Sequence, residues 1–283
     1  MIHSLTKTAA VIVSATILST LAVNAVDMRG HFATTMLGSL LFGVEKQVAP
    51  CPEHMTLVES SLTPFCVDRY EASPGASCVV ENPERGDETS LNVADPACKP
   101  VSKPGAQPWR FVSQHDAKVL CEKAGKHLPT AQEWYLAAMG TNDHSEAFTG
   151  DGCNLARNRA DGVALSGEGY RCISDVGAFD MVGNVWEWVA EEVEGGVWDD
   201  RPMPTDGLVD GVDAAGMPFK TRVEPDPLFL GDRFWVDVRD TMGVLRGGYY
   251  DSKQNGGVYS VYAASKPGFV GEAVGFRCVV GVQ

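Results

Sequence analysis

The chain has 283 residues, 44% hydrophobic and 21% charged, the ordinary composition of a globular protein with a packed core. Its 37 acidic against 23 basic residues leave a net charge of −14, which repels nucleic acid and anionic membrane surfaces and excludes both as partners. The same excess suits a cationic partner or a divalent ion, or serves solubility alone.

The N-terminus reads as an export signal. Lys7 supplies a positive start, Ala9 to Ala22 an apolar stretch, and Val23-Asn24-Ala25 a small-residue cleavage site. Residues 1–25 are therefore predicted to be a signal peptide. The competing reading is an uncleaved anchor, since Thr8 to Val26 carries no charge, but Ser, Thr and Asn interrupt it and its apolar centre falls short of the ~20 residues that a span needs. Cleavage would leave a secreted or periplasmic protein that is not integral to the membrane. Residues 26–50 read as a linker, in which Phe32 to Val44 is too short to span, and residues 51–283 as the folded domain.

All eight cysteines, Cys51, Cys66, Cys78, Cys98, Cys121, Cys153, Cys172 and Cys278, follow the linker. An even count in an exported chain implies disulfides. Zinc is excluded because there is no C-x-x-C and no His at metal-site spacing from a Cys. Proximity along the chain suggests Cys51–Cys66, Cys78–Cys98 and Cys153–Cys172.

Within the domain, a strand is predicted around Phe65 to Tyr70. Ser73 to Pro100 is a polar insertion bracketed by Cys78 and Cys98, which suggests a stapled loop. Ser113-Gln114-His115-Asp116 is a capping box opening a helix with Ala117, Leu120, Cys121 and Ala124 on one face, ended by Gly125. Thr130-Ala131-Gln132-Glu133 opens a second helix that buries Trp134, Ala137 and Ala138 and closes at Gly140. Beyond Gly140 regular periodicity largely disappears. Residues 189–243 read as an acidic insertion loop, with eight carboxylates and one basic residue, Arg201, between Glu191 and Asp213. A loop of that length is functional or disordered. Short apolar runs return at Val244-Leu245, Val258 to Val261 and Phe276 to Val280.

Four stretches, in order, resemble one known family. Phe65-Cys66-Val67-Asp68-Arg69-Tyr70-Glu71 resembles the Phe-Tyr-Ile-Asp-Lys-Tyr-Glu opening of sulfatase-modifying-factor domains, the family of formylglycine-generating enzymes. Cys121-Glu122-Lys123-Ala124-Gly125-Lys126-His127-Leu128-Pro129-Thr130 is similar to its helix-pair motif. Asp180-Met181-Val182-Gly183-Asn184-Val185-Trp186-Glu187-Trp188 matches its most specific signature, and Leu245-Arg246-Gly247-Gly248 with Gly275-Phe276-Arg277-Cys278 its closing motifs.

The resemblance implies an irregular α+β domain related to C-type lectins, poor in regular structure and stapled by disulfides, with Cys121 beside Cys278. It also implies structural calcium. The carried-over ligands are the Asp180 and Glu187 carboxylates and the Gly183 and Val185 carbonyls, an all-oxygen set of the kind calcium prefers. A second site would begin at Asn154 and Leu155, where the remaining ligands fall in a shortened stretch.

Formylglycine-generating members hold copper between two cysteines just after the Arg-Gly-Gly motif. Here those positions are Ser252 and Gly257. Neither supplies a thiolate, which soft Cu(I) requires, so no copper and no formylglycine formation are expected. Two functions follow as alternatives. One is a non-catalytic or divergent exported module that binds a ligand or an exported partner. The other is an oxidoreductase of altered chemistry in the same pocket, around Tyr249, Tyr250 and Asp251, although a serine without a base is a poor nucleophile. Tyr259 and Tyr262 fit either an exposed binding face or the core.

Overall fold

A computed structural model describes residues 51–60, 63–142, 150–157 and 162–282. The signal and linker expected over 1–50 lie outside the described residues. Among the described residues, no helix is long and apolar enough to cross a membrane.

The fold is α+β, with three short α-helices among the described residues against a strand-rich, irregular sheet system. The strands are β1 (Met55–Val58), β2 (Phe65–Asp68), β3 (Ala72–Pro74), β4 (Pro100–Ser102), β5 (Trp186–Glu194), β6 (Val197–Trp198), β7 (Arg201–Pro202), β8 (Gly207–Val212), β9 (Pro218–Arg222), β10 (Arg233–Val236), β11 (Thr241–Arg246), β12 (Val261–Ser265), β13 (Val274–Gly275) and β14 (Val279–Gly281). The helices are α1 (Gly86–Ala94), α2 (Gln114–Lys123) and α3 (Ala131–Ala138). The main sheet runs β7-β6-β5-β11-β12-β10-β8-β9, with β13 also on β5; a smaller sheet runs β1-β2-β14, and β3 pairs with β4.

Successive residues of a strand point to opposite faces, and the central pair β5–β11 uses this to separate two cores. Trp188 and Leu245, which are cross-strand partners, join one buried cluster with Trp109, Leu120 and Phe276. Their neighbours Val189 and Val244 join the other with Trp134, Met181 and Phe234. Strand β14 pairs with β2 at the register Val279↔Val67, so the last described strand completes a sheet begun by the first.

Both capping boxes form. The Ser113 hydroxyl accepts from Asp116 N and the Asp116 carboxylate from Ser113 N; Thr130 and Glu133 repeat the arrangement on α3. Each box satisfies backbone donors that a helix start otherwise leaves free.

Two expectations need correction. Residues 189–243 are not a loop: they hold most of β5, all of β6 to β10 and the start of β11. Most of the carboxylates that masked these strands are exposed or paired with a basic side chain. Asp210 on β8, for example, pairs with Lys220 (2.6 Å) and Arg222 (3.4 Å) of β9, while Val209 turns inward and is buried. The Cys78–Cys98 insertion likewise contains a helix, α1. It buries polar rather than apolar groups: Asn92 bonds both backbone groups of Val80, at 2.9 and 2.8 Å, and Thr89 Oγ1 accepts from Trp109 Nε1.

All eight cysteines are paired, as Cys51–Cys66, Cys78–Cys98, Cys121–Cys278 and Cys153–Cys172. Three of these bridges close local loops. The fourth ties α2 to the closing motif over a separation of 157 residues.

Candidate ligand-binding site

The signature turn Asp180 to Trp188 forms the centre of a buried polar network. Asp180, Gly183 and Asn184 all take positive φ, at 53°, 78° and 59°. Glycine is required at 183 for a second reason, since a Cβ there would run into the Asn154 carbonyl. Asn184 Nδ2 donates to both oxygens of Glu71 (3.1 and 2.9 Å) and its Oδ1 accepts from Ala164 N and Asn154 Nδ2. Asp180 Oδ2 accepts from Gly167 N at 2.6 Å.

Glu187 leaves the turn on the face of β5 opposite Trp186 and Trp188 and meets Arg277; both are buried. Arg277 Nη2 and Nε donate to Oε1, Nε also to Oε2, and Trp134 Nε1 to Oε2, at 2.6 to 3.0 Å. Arg277 further donates to the Asp68 and Phe179 carbonyls, both at 2.9 Å. Burial works against the charged guanidinium, but Glu187, then Glu71 and Asp180, hold its pKa above the usual value. Burial, followed by the charges of Asp180 and Glu187, pushes the Glu71 carboxyl well above the usual carboxylate range.

These contacts bear on the calcium ligands. Asp180, Gly183 and Val185 lie in one turn and offer oxygen donors only, the type a hard cation takes. Glu187 already receives four hydrogen bonds, about as many as a carboxylate has lone-pair sites, so it reaches an ion only if one donor yields. Of the second expected set, Leu155 O accepts from Lys253 N (2.7 Å), whereas the buried Asn154 Oδ1 has no hydrogen-bond partner among the described residues. Among the described residues no three His, Cys, Asp or Glu side chains converge as a metal-holding group.

Ser252 and Gly257 flank a single 3-10 turn, Lys253–Asn255. Ser252 is buried, and its hydroxyl accepts from Tyr249 N at 2.9 Å. At Gly257 the limit is space, because a Cβ would fall within the Asp232 carboxylate. Asp232 is itself buried and accepts from Tyr259 N at 2.7 Å. The second position therefore lacks both a thiol and the room for one.

The three residues expected to share a pocket lie together, with the Tyr249 and Tyr250 rings edge to face 5.2 Å apart. Tyr250 lies under the Arg157 guanidinium, 5.1 Å from its ring centre, and Asp251 pairs with Arg157 at 3.2 Å. Tyr249 also lines a cavity of about 250 Å³ with Trp186, Tyr262, Phe269 and Glu272. Burial, then Asp251 and Tyr250, push the Tyr249 hydroxyl up, so it is neutral at neutral pH and offers no phenolate base. Tyr259 packs against Tyr135 and Phe229 beside the core; Tyr262 faces the cavity.

Comparison with known proteins bears on these motifs. The domain family described as sulfatase-modifying factor enzyme 1-like matches residues 25–282. The chain belongs to that family. The inactive C-alpha-formylglycine-generating enzyme 2 of Bos taurus is 30% identical over 122 residues, which cover 38% of this chain and 40% of that protein. The formylglycine-generating enzyme of Thermomonospora curvata is 32% identical over 100 residues, 30% of this chain and 33% of that one. The matched stretches thus span well under half of these relatives. Among solved structures, the Major Tropism Determinant I1 variant aligns over 82% of this chain and 54% of its own at a TM-score of 0.45 and 17% identity.

Membership explains the signature turn, whose residues the sequence already singled out. Trp235, Phe269 and Glu272 lie outside the family motifs and went unnoticed. Trp235 packs behind the cavity, against Trp186 and Tyr262, because β10 lies parallel to β12 and sets it opposite Tyr262. The available signal was the strand-like alternation of Phe234, Trp235 and Val236.

Proposed function

We propose that this protein is a non-catalytic, exported member of the family that binds a ligand or an exported partner through the aromatic surface around Tyr249. The observation that carries this is the pair Ser252 and Gly257, where a hydroxyl and a bare Cα stand in place of two thiolates, with Asp232 filling the space at the second. A serine hydroxyl stays protonated at neutral pH and is a hard, poor ligand for Cu(I). Four disulfides that use every cysteine leave no other thiolate and support an oxidising compartment outside the cytosol. The names of the relatives divide between inactive and active enzymes, so these residues carry the proposal rather than overall similarity.

The test incubates the protein with copper, dioxygen and a cysteine-containing sulfatase peptide. No aldehyde is expected by mass spectrometry, and its formation would overturn the proposal.

Calcium completes the proposed site, held by Asp180 and the Gly183 and Val185 carbonyls, with Asn154 as the start of a second position. Bound there, the ion would offset the clustered charge of Glu71, Asp180 and Glu187 and brace a turn of three left-handed residues. Removing it with a chelator is expected to lower the melting temperature by several degrees, and added calcium to restore it. An unchanged melting curve would rule out a structural ion.

A further inference from the structure

The cavity beside Tyr249 has a lining that narrows the class of ligand, on the proposal that this surface binds one. Trp186 meets Tyr262 at 5.9 Å between ring centres with planes at 46°, and meets Trp235 at 5.8 Å, edge to face. Trp235 and Tyr262, opposite each other on neighbouring strands, are also 5.8 Å apart. Trp186 and Tyr262 thus stand as inclined walls, with Tyr249 beside them and Phe269, 44% exposed, among the lining side chains.

The walls are fixed by the sheet rather than by a loop. Trp186 pairs with Val274 of β13, and Tyr262 pairs with both Leu245 and Trp235. No basic side chain lines the cavity, and its one charged side chain is the Glu272 carboxylate. The cluster already holds one cation on an aromatic ring, since the Arg233 guanidinium lies 5.7 Å from the Trp235 ring centre.

We infer that this cavity receives the alkylated ammonium group of a small ligand or of a modified side chain. Aromatic faces carry negative charge density and attract a cation within about 6 Å of the ring centre, with tryptophan the strongest. An alkylated ammonium has few or no N–H donors and is matched by aromatic faces with a single counter-charge. A primary ammonium or a sugar needs several hydrogen-bond partners arranged around it; the polar groups here are the Ser265 side chain, the Glu272 carboxylate, the Tyr249 and Tyr262 hydroxyls and the Trp186 indole N–H, and the titration below separates these ligand classes. The Glu272 carboxylate supplies a counter-charge, and the protein's net charge of −14 raises the local concentration of cations.

Tryptophan fluorescence of the full chain, titrated with choline and with its uncharged isostere 3,3-dimethylbutanol, tests the assignment, because Trp186 lines the cavity and Trp235 packs against it. Choline is expected to give a saturable change and to bind at least roughly tenfold more tightly than the isostere. Glu272→Gln, at an exposed position that does not endanger the fold, should weaken choline several-fold and leave the isostere unchanged. Tyr262→Leu should weaken choline further, with retained circular dichroism excluding misfolding. Equal affinity for both probes would overturn the cationic class while leaving a binding surface in place. Binding of monosaccharides without choline, or no response to choline at all, would overturn it too. Failure of the non-catalytic proposal is read separately, by aldehyde formation.

Discussion

Arg277→Leu is expected to destabilise the domain by about 3–5 kcal/mol, the usual cost of leaving one partner of a buried ion pair alone. The loss is larger than that of a surface pair because neither Arg277 nor Glu187 reaches water, at 0% and 1% side-chain exposure. Removing the guanidinium strands the Glu187 carboxylate with Trp134 Nε1 alone and frees the Asp68 and Phe179 carbonyls. The double variant Glu187→Gln with Arg277→Leu should recover part of the loss, since an unpaired amide costs less to bury than an unpaired charge. Urea denaturation of the two single variants and the double variant measures the coupling. A single-variant loss below about 1 kcal/mol would mean that the pair is solvated and does not hold the signature turn to the closing motif.

Replacing Cys121 and Cys278 by alanine together should cost roughly 4–5 kcal/mol, because their bridge closes by far the longest loop of the four. The local bridges enclose separations of 15 to 20 residues and should each be worth about 3 kcal/mol in the same chain-entropy treatment. Comparing the long-range double variant with the Cys153→Ala, Cys172→Ala pair by thermal denaturation gives the ranking. Equal losses would show that native packing around the sulfurs, rather than loop closure, sets the contribution.

How legible each part was depends on whether its physics is local. Capping boxes are local, and both helix starts were read to the residue, Ser113 and Thr130. The local disulfides were also legible, because a bridge within about 20 residues competes with few alternatives. The strands from β5 to β11 were not. Their outward residues are carboxylates such as Asp210, whose partners Lys220 and Arg222 arrive only when β9 folds back. Helix α1 escaped because it buries Thr89 and Asn92, polar residues that become good core residues only with Trp109 and Val80 as partners.

The site divides along the same line. The signature residues were found by their order in the chain, and Ser252 and Gly257 by their distance from Arg246-Gly247-Gly248. That Glu187 is saturated by Arg277 and Trp134, that Asp232 occupies the space beside Gly257, and that Tyr249 alone of the three lines the cavity beside Trp186 are tertiary facts without a local signature.

The pairing of β14 with β2 has a consequence for the order in which the domain can be made. A ribosome releases Phe65 to Asp68 roughly two hundred residues before Val279 to Gly281, and at about 5–20 residues per second the first strand waits on the order of ten seconds or more for its neighbour. During that interval Cys66 can join Cys51, Cys78 can join Cys98, and Cys153 can join Cys172, each with a partner from nearby chain. Cys121 cannot, since its partner lies 157 residues further along the chain. Until Cys278 emerges, Cys121 is an unpaired thiol among forming bridges, so premature oxidation threatens this protein chiefly at Cys121, and a disulfide isomerase is most useful to it once Cys278 has appeared.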